Sequence, residues 1–410
     1  MRASPSTARA INDRLALRLL QDEGPLTAAQ LKLLTGLSRP TVSDLVERLA
    51  ASGLIEVVGE TGAQRRGPNA RLYGIAAGRA QLAALDVRTE SVAVLVSDLV
   101  GRVLAEASVP IGGDTGTGPA VEQAVTLVER AAKEAGADRL HTVGIGVPGL
   151  IDPASGELRT SSGLPAWHRR LIAELQERLP KARVSVENET NLAALAERGE
   201  GAARDHDTFV LLWLGHGTGA AVVLDGRLRR GASGGTGEIG FLPVPGTSGL
   251  PSATDCEGGF HSLAGAAAII GLAGEYGIHA GAGAGEETDG AAAGAAVVGA
   301  ALRAVSDAGA STASSAAAEG FLDALAERLA LGAASVVAVL DPGCVVLGGE
   351  VGQAGGPELA GRVARRLRTM TPLPTEVRPS VLGGGAVLRG ALLTAREAAQ
   401  ETLFTAPLQT

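Results

Sequence analysis

Apolar residues recur at helical spacing in three successive stretches near the start of the chain, at 11–24, 26–37 and 38–55. Thr27 and Ser38 stand at the start of the second and third stretches, where a hydroxyl side chain is favoured as a helix N-cap. Two short helices joined by a glycine-containing turn are typical of a helix-turn-helix. The residues predicted to form the buried faces are Ile11, Leu15, Leu19, Leu20, Leu31, Leu34, Val42, Leu45, Val46 and Leu49.

A hairpin is predicted directly after the third helix. Strand-forming residues at 54–58 and 71–75 flank a glycine-rich, basic stretch at 59–70, which is the arrangement of a wing. We expect DNA contacts at the start of the third helix, where recognition helices meet base edges, and on this hairpin. The candidate residues are Ser38, Arg39, Thr41, Ser43, Arg65, Arg66 and Arg71. The alternative, a structural cap of three helices with solvated arginines, is less favoured because helix, turn, helix and basic hairpin follow one another in the right order.

The distribution of charge separates this head from the rest of the chain. The first 75 residues hold ten lysines and arginines against seven acidic residues, a net charge of +3, whereas the remainder carries −11. A mildly basic head on an acidic body favours a nucleic-acid-binding module on a separate domain.

Composition excludes several classes of protein. Apolar residues make up 45% of the 410 positions and charged residues 20%, which is enough for buried cores and argues against disorder. The longest apolar run, 329–340, is shorter than the ~18–20 residues that a membrane span needs and predicts a buried helix. The first residues lack the apolar stretch of a signal peptide, and Cys256 and Cys344 make no disulfide framework. We therefore expect a cytoplasmic protein that does not associate with membranes.

From about residue 80 the pattern changes to strands. Residues 81–111 predict three strands with a hairpin turn at 98–101, and an amphipathic helix follows at 119–136. The order strand-strand-strand-helix-strand-helix, repeated twice, predicts an α/β body of two lobes. Ligands of such sheets bind beyond the carboxyl ends of the strands, where the glycine-rich and asparagine-rich loops of this chain would lie.

Five motifs then stand in the order in which one known family carries them, and together with the head they make the chain similar to the repressor branch of the ROK family. No single motif is specific, because tight turns need glycines for backbone reasons alone. The motifs are GIGVPGLID (144–152), VENETNLAALAE (186–197), LGHGTGAAVVLDG (214–226), GGTGEIGF (234–241) and LDPGCVVLGG (340–349). The resemblance implies a winged helix-turn-helix joined to a two-lobed actin/hexokinase-like (ribonuclease H-like) α/β body. The domain bounds expected from it are 1–77 for the head, 80–200 for the first lobe and 201–400 for the second.

Two departures from the family's pattern predict that the body is not an enzyme. The sugar kinases of the family carry a general-base aspartate where this chain has Glu189, and the extra methylene displaces the carboxylate by about an ångström, enough to lower a rate ~100-fold. The family's first phosphate loop is Asp-x-Gly-Gly-Thr, whereas this chain has DVRTES (86–91). Arg88 and Thr89 replace the glycines that let backbone N–H groups approach a phosphate. We expect no catalytic residue and no cofactor.

The zinc site of the family is also incomplete. Phe241 stands at the position of a ligating histidine, and the stretch 252–265 supplies only Cys256 where the family has three cysteines. One cysteine with the nearby His261 cannot complete a four-ligand tetrahedral site, so we expect no bound metal.

The sugar-binding side of the family's site is better preserved. The resemblance assigns ligand contacts to Asn188, Glu189, Glu238 and His261, and the segment 164–167 matches a loop over the sugar although Gly163 replaces its usual asparagine. Carboxylates and amides beside glycine loops suit bidentate hydrogen bonds to vicinal hydroxyls. Two alternatives remain open: VENETN could serve only to cap a helix, and His261 could be a surface loop histidine.

The predicted function is a DNA-binding transcriptional regulator, a repressor of carbohydrate uptake or catabolism genes, whose inactive kinase-like body senses a sugar effector. The partners expected are a double-stranded operator with an inverted repeat and a second copy or three further copies of the chain, as a homodimer or homotetramer. The alternatives are a regulator whose body only oligomerises and, less favoured, an active sugar kinase. The alanine- and glycine-rich stretch 279–294 is predicted to be a link between helices.

Overall fold

The computed structural model describes residues 5–61, 70–159, 164–254, 257–279, 290–307 and 311–405. These residues form three separate sheets, one in the head and one in each lobe of the body. Within the described ranges, no helix combines the length and the apolar character that crossing a membrane requires.

The head has the helices and the hairpin that the sequence pattern predicts. Its elements are α1 (Pro5–Asp22), β1 (Leu26–Thr27), α2 (Ala28–Thr35), α3 (Arg39–Ala51), β2 (Ile55–Glu60) and β3 (Arg71–Ile75). The three strands are antiparallel in the order β1-β3-β2. Thr27 caps α2 with a reciprocal pair of hydrogen bonds to Gln30, and the Ser38 side chain accepts from the Thr41 N–H to cap α3.

The predicted buried face of α1 is wrong in part. Ile11 is 58% exposed and Leu15 is 39% exposed, whereas Ala16 and Leu17 are buried in the core of the head. Apolar residues cover more than one side of this helix, and spacing alone does not say which side meets the rest of the protein. In α2, Leu34 is exposed as well.

The first lobe is built on a five-stranded sheet in the order β6-β5-β4-β7-β8. Strands β4, β5 and β6 are antiparallel, and β7 and β8 extend the sheet in parallel from β4. The elements are β4 (Gln81–Val87), β5 (Ser91–Asp98), β6 (Val103–Pro110), α4 (Thr117–Glu134), β7 (Leu140–Val147), α5 (Trp167–Arg178), β8 (Arg183–Asn188) and α6 (Glu189–Glu200).

The second lobe repeats this topology, with strands in the order β11-β10-β9-β12-β13. Strands β9, β10 and β11 are antiparallel, while β12 and β13 run parallel to β9. The elements are β9 (Phe209–Leu214), β10 (Thr218–Leu224), β11 (Arg227–Arg229), α7 (His261–Ala264), α8 (Ala266–Glu275), α9 (Gly290–Ser306), α10 (Thr312–Leu340), β12 (Cys344–Gly348), α11 (Gly349–Met370), β13 (Glu376–Pro379) and α12 (Ala386–Thr405). The predicted repeat of a two-lobed α/β body is present.

Helices α6 and α12 pack between the two sheets, in a core that holds residues of both lobes. Their backbones approach so closely at Gly390 that a Cβ there would lie 2.0 Å from the Leu192 carbonyl oxygen, so only glycine fits. Helix α12 also packs on β4 and β7 of the first lobe. The chain therefore contacts the first lobe again through α12, and the expected second-lobe span of 201–400 stays a prediction.

The head joins the body through a shared apolar core. Leu17 of α1, Leu82 of β4 and Ala399 of α12 all belong to it, and each is almost fully buried. The Gln400 side chain of α12 donates to the Leu99 carbonyl oxygen at 3.2 Å. Helix α12 thus contacts both the head and the α6 helix of the body.

Candidate functional site

The VENETN segment forms the end of β8 and the first turn of α6. The Asn188 side-chain oxygen accepts from the N–H groups of Thr190, at 2.9 Å, and Asn191, at 3.2 Å. Its Nδ2 donates to the Gly149 carbonyl oxygen at 3.1 Å and to Glu189 Oε2 at 2.8 Å. Asn188 therefore caps the helix and orients the Glu189 carboxyl with the same side chain, so the capping interpretation and the binding interpretation are compatible.

The Glu189 carboxyl interacts electrostatically with Asp86 and Arg88 of the first lobe and with Glu238 of the second, and the space among these side chains is called the cleft below. Burial raises the pKa of Glu189 to about 8; a backbone hydrogen bond opposes the shift, and the charges of Asp86 and Glu238 add to it. Arg88 lowers the same pKa by a smaller effect. At neutral pH the group is mostly protonated, and it can donate one hydrogen bond and accept others.

Glu238 reaches the same cleft from the second lobe. The preceding Gly237 has φ of +90°, and a Cβ there would lie 1.8 Å from the Ala220 carbonyl oxygen, so only glycine lets this turn lie against β10. Glu238 is exposed to solvent on one side, yet the protein atoms around it raise the pKa of its carboxyl by partial burial. Its charge adds to the raised pKa of Glu189, so the two carboxyls lie near enough to interact electrostatically.

Arg88 connects the two lobes across this cleft. Its Nε donates to Asp86 Oδ2 at 3.0 Å, and its Nη1 donates to Glu350 Oε1 at 2.9 Å on the first turn of α11. Its Nη2 lies 3.5 Å from the Gly384 carbonyl oxygen. The sequence identified Arg88 as an obstruction in a phosphate loop, and the structure adds that its guanidinium is held by carboxylates of both lobes.

His168, which the sequence analysis missed, supports the Arg88 turn from α5. Its Nε2 donates to the Arg88 carbonyl oxygen at 3.2 Å, and burial lowers the pKa of His168 to about 4, so the ring is neutral at pH 7. His168 follows directly on the segment 164–167 that resembled a sugar loop, and that position was the available signal.

A second ion pair that could not be predicted from the sequence joins the two lobes, and one of its members, Glu187, belongs to VENETN. Glu187 Oε2 accepts from Arg230 Nε at 2.6 Å. Its Oε1 accepts from Asn191 Nδ2 at 2.9 Å and from the Asn188 N–H at 3.0 Å. Four of the five polar side chains of VENETN thus have structural partners, those of Glu187, Asn188, Glu189 and Asn191, and Glu189 is the one whose carboxyl faces other acids.

His261 lies at the start of α7, near enough to His216 for the two rings to interact electrostatically. Burial lowers the pKa of His261, and the charge of His216 adds to the effect. The described contacts link His261 with His216 and Gly265 and do not link it with Glu189. Among the described residues, no group of three or more histidine, cysteine, aspartate and glutamate side chains converges as a metal site; Cys256 and Gly163 lie outside the described ranges.

The candidate DNA-contacting residues at the start of α3 lie at the surface. Arg39 and Ser43 are exposed, while the hydroxyls of Ser38 and Thr41 lie 2.8 Å apart and are engaged in the cap. Arg71, on β3, is also exposed. Arg65 and Arg66 lie outside the described residues.

Comparisons with known proteins match both parts of the chain. The model of the ROK family matches residues 82–398, and that of the MarR family matches residues 11–67. A xylose repressor of Caldicellulosiruptor bescii is 28% identical over 57% of this chain and 59% of its own length. The DNA-binding transcriptional dual regulator NagC of Escherichia coli K12 is 27% identical over 57% of each chain. The matched regions thus span less than two thirds of these relatives.

Solved structures share the architecture. A ROK family transcriptional regulator described as a homologue of the E. coli MLC protein superposes with a TM-score of 0.74 over 97% of this chain and 98% of its own, at 22% identity. A ROK hexokinase from Thermus thermophilus superposes with a TM-score of 0.60 over 78% of this chain and 99% of its own, at 28% identity. The predicted fold class, an actin/hexokinase-like body behind a winged helix-turn-helix, is confirmed.

The family match covers most of the body, and the two repeated sheets with the VENETN loop between them supply its structural counterpart. The protein belongs to the ROK family and carries an N-terminal winged helix of the MarR type.

Proposed function

We propose that the protein is a DNA-binding transcriptional regulator, a repressor of carbohydrate uptake or catabolism genes, whose body senses a sugar without phosphorylating it. The observation that carries the proposal is the Arg88 side chain, bound at 3.0 Å to Asp86 and at 2.9 Å to Glu350 in the loop where a kinase needs open glycines. Beside it, Asn188 and Glu189 keep a geometry suited to hydroxyl groups.

The sugar side of the cleft supports binding. Glu189 and Glu238 lie close enough to interact electrostatically, and both have raised pKa values, chiefly because of burial. The Glu189 carboxyl, with its pKa of about 8, can donate to one hydroxyl oxygen and accept from a neighbouring hydroxyl, and the Glu238 carboxyl can accept from hydroxyls as well. Vicinal hydroxyls of a sugar offer this pattern, so Glu189 and Glu238 are the proposed ligand contacts, with Asn188 as the residue that orients Glu189.

The head supplies the proposed DNA contacts. Arg39 and Ser43 are exposed at the N-terminal end of α3, and Arg71 is exposed on the hairpin. Base edges in a major groove suit the first two, and phosphates suit the third. Relatives named xylose repressor and NagC are regulators, which supports the same assignment. One module of this size buries a small interface, so the proposed form is an even-numbered homo-oligomer on an inverted repeat.

Two assays test the proposal on the full-length protein. Selection from random duplexes should enrich an inverted repeat, with half-site centres one or two helical turns apart.

A coupled assay with ATP and glucose, xylose or N-acetylglucosamine should show no sugar-dependent ADP release above that of the Glu189→Ala variant. Phosphate transfer well above that control would make the protein a kinase. Enrichment of DNA without any sugar response would leave the body as an oligomerisation scaffold.

A further inference from the structure

On the side where Arg88 lies, the cleft already holds a carboxylate of the protein, that of Glu350. Glu350 lies in the first turn of α11, where the positive end of the helix dipole favours an anion. Its Oε2 would lie 2.8 Å from a Cβ placed on Gly215, so it sits directly against the glycine turn between β9 and β10. Helix terminus and glycine turn are the two features that commonly hold a phosphate, and here they surround Glu350 instead.

Among the described residues, Arg88 is the cation of this cluster, and two of its three nitrogens donate to carboxylates. Nε binds Asp86 and Nη1 binds Glu350, while the side chain is 37% exposed. Two carboxylates against one guanidinium leave this trio with a net charge of −1 when all are ionised. Glu189 interacts with Asp86 and Arg88 of this trio and with Glu238, and neither glutamate adds positive charge. A phosphate brought to this point would meet like charges in a partly buried setting, where they are weakly screened.

A free arginine in the same place would attract a phosphate, so the outcome depends on Glu350. Its carboxylate belongs to the first turn of α11 and pairs with Arg88, and an entering phosphate would need the same two surroundings. A hydroxyl needs neither of these partners. The hydroxyl that faces Glu189 can therefore enter the cleft without displacing the ion pair, whereas a phosphate on that position cannot.

We infer that the cleft selects sugars without a phosphate group, and that Glu350, by occupying the phosphate position and engaging Arg88, is the residue that sets this selectivity. The inference rests on the proposed function, because it names the class of sugar that the proposed sensor accepts. In this role, the Glu350 carboxylate is the anion that pairs with Arg88, where the phosphate of a ligand would otherwise bind.

The test compares each sugar with its own phosphate on the full-length protein. Titration calorimetry and thermal shift are run with glucose, mannose and N-acetylglucosamine and with the 6-phosphate of each, which keeps the same pyranose ring. The wild-type protein should bind at least one unphosphorylated sugar, and should bind it at least about tenfold more tightly than its phosphate. In Glu350→Gln, the ratio of phosphate affinity to sugar affinity should rise at least about tenfold, because Arg88 and the helix terminus then lack their anion.

The control variant is Glu177→Gln, which changes the net charge by the same amount on the exposed surface of α5. Its affinity ratio should match that of the wild-type protein. A phosphorylated sugar that binds the wild-type protein as tightly as its parent would overturn the inference while leaving the proposed sensor in place. A ratio in Glu350→Gln equal to that of Glu177→Gln would overturn the role of Glu350. If none of the six compounds binds, the proposed sugar sensing fails, and this inference fails with it.

Discussion

The start of α3 in the winged helix and the start of α6 at the cleft are both polar helix N-termini, and they differ in what their side chains contact. At the start of α3, the hydroxyl groups of Ser38 and Thr41 are hydrogen-bonded to each other, and Ser38 also caps the helix. Arg39 and Ser43 are exposed to solvent. In the cleft, Asn188 and Glu189 are bonded to one another, and Glu189 faces Asp86 and Glu238.

Because of this difference, we expect the head to determine DNA binding and the cleft to affect ligand binding and stability. Exposed side chains lose little solvation in the folded protein, so Arg39 and Ser43 can act on DNA without affecting stability. The partly buried carboxyls of the cleft carry an unfavourable interaction that a ligand's hydroxyl groups can relieve. Substitutions in the head should therefore alter DNA binding alone, and substitutions in the cleft should alter ligand binding, stability or both.

The largest effect is expected from Glu189→Ala, measured as sugar affinity. Loss of hydrogen bonds made by a carboxyl group costs about 3 kcal/mol, or roughly 100-fold in affinity. Calorimetry with whichever sugar the wild-type protein binds gives the number. DNA affinity in the absence of sugar should stay within about twofold, and a parallel loss of DNA binding would break the proposed separation of the two regions.

For the head, Arg39→Ala should weaken binding to the selected duplex by about 1–3 kcal/mol and relax base preference at one or two positions. Binding to a scrambled duplex should change far less, and unfolding by urea should be unchanged within about 0.5 kcal/mol. Equal losses on both duplexes would mean that Arg39 contacts phosphate rather than a base edge.

Glu189→Gln sharpens the comparison through pH. The folded-state pKa of Glu189, about 8, lies above its ordinary value of 4.5, so the folded protein holds this proton more tightly than the unfolded chain. The unfolding free energy of the wild-type protein therefore falls as pH rises from 4.5 to 8. Relative to it, the variant should gain about 2 kcal/mol at pH 8, discounted for the solvent that reaches the cleft, and nothing at pH 4.5 or below.

Urea unfolding at a series of pH values measures this difference, with Glu177→Gln as the surface control. A gain that does not depend on pH would show that the substitution acts through packing. A loss at pH 8 would place the Glu189 carboxylate in a favourable interaction and contradict the account of the cleft.

The smallest effect is expected from the hairpin. Arg71→Ala should weaken binding to selected and scrambled duplexes alike, by about 0.5–1 kcal/mol, and should lower the slope of log affinity against log salt by about 0.9 if one phosphate contact is lost. The same behaviour is expected for Arg65→Ala and Arg66→Ala. A loss confined to the selected duplex would move these arginines from phosphate contact to base contact.

The sequence predicted the local features of both regions because local chemistry determines them. Thr27 and Ser38 are caps, as the spacing required, and Asn188 ends a strand and starts a helix. The predicted buried face of α1 was wrong in part because the orientation of the helix depends on packing against Ala399 and Leu82, which are remote in sequence.

For the cleft, the sequence predicted residues of the first lobe but not their ion-pair partners in the second lobe. Asn188 and Glu189 stand in one motif, and Arg88 was visible as a departure from a glycine loop. Its partner Glu350 is 262 residues away, and the pairing requires both lobes to be folded. The pairing of Arg230 with Glu187 could not be predicted from the sequence either, because no periodicity relates a strand end in one lobe to a loop in the other.

The measurement that tests the central claim most directly is the affinity of the full-length protein for its selected duplex with and without the sugar that binds its cleft. A sensor whose body communicates with the head should change DNA affinity at least about tenfold, a coupling of about 1.4 kcal/mol, and Glu189→Ala should abolish the change. A sugar that binds the cleft with calorimetric saturation, yet leaves DNA affinity within twofold, would contradict the claim.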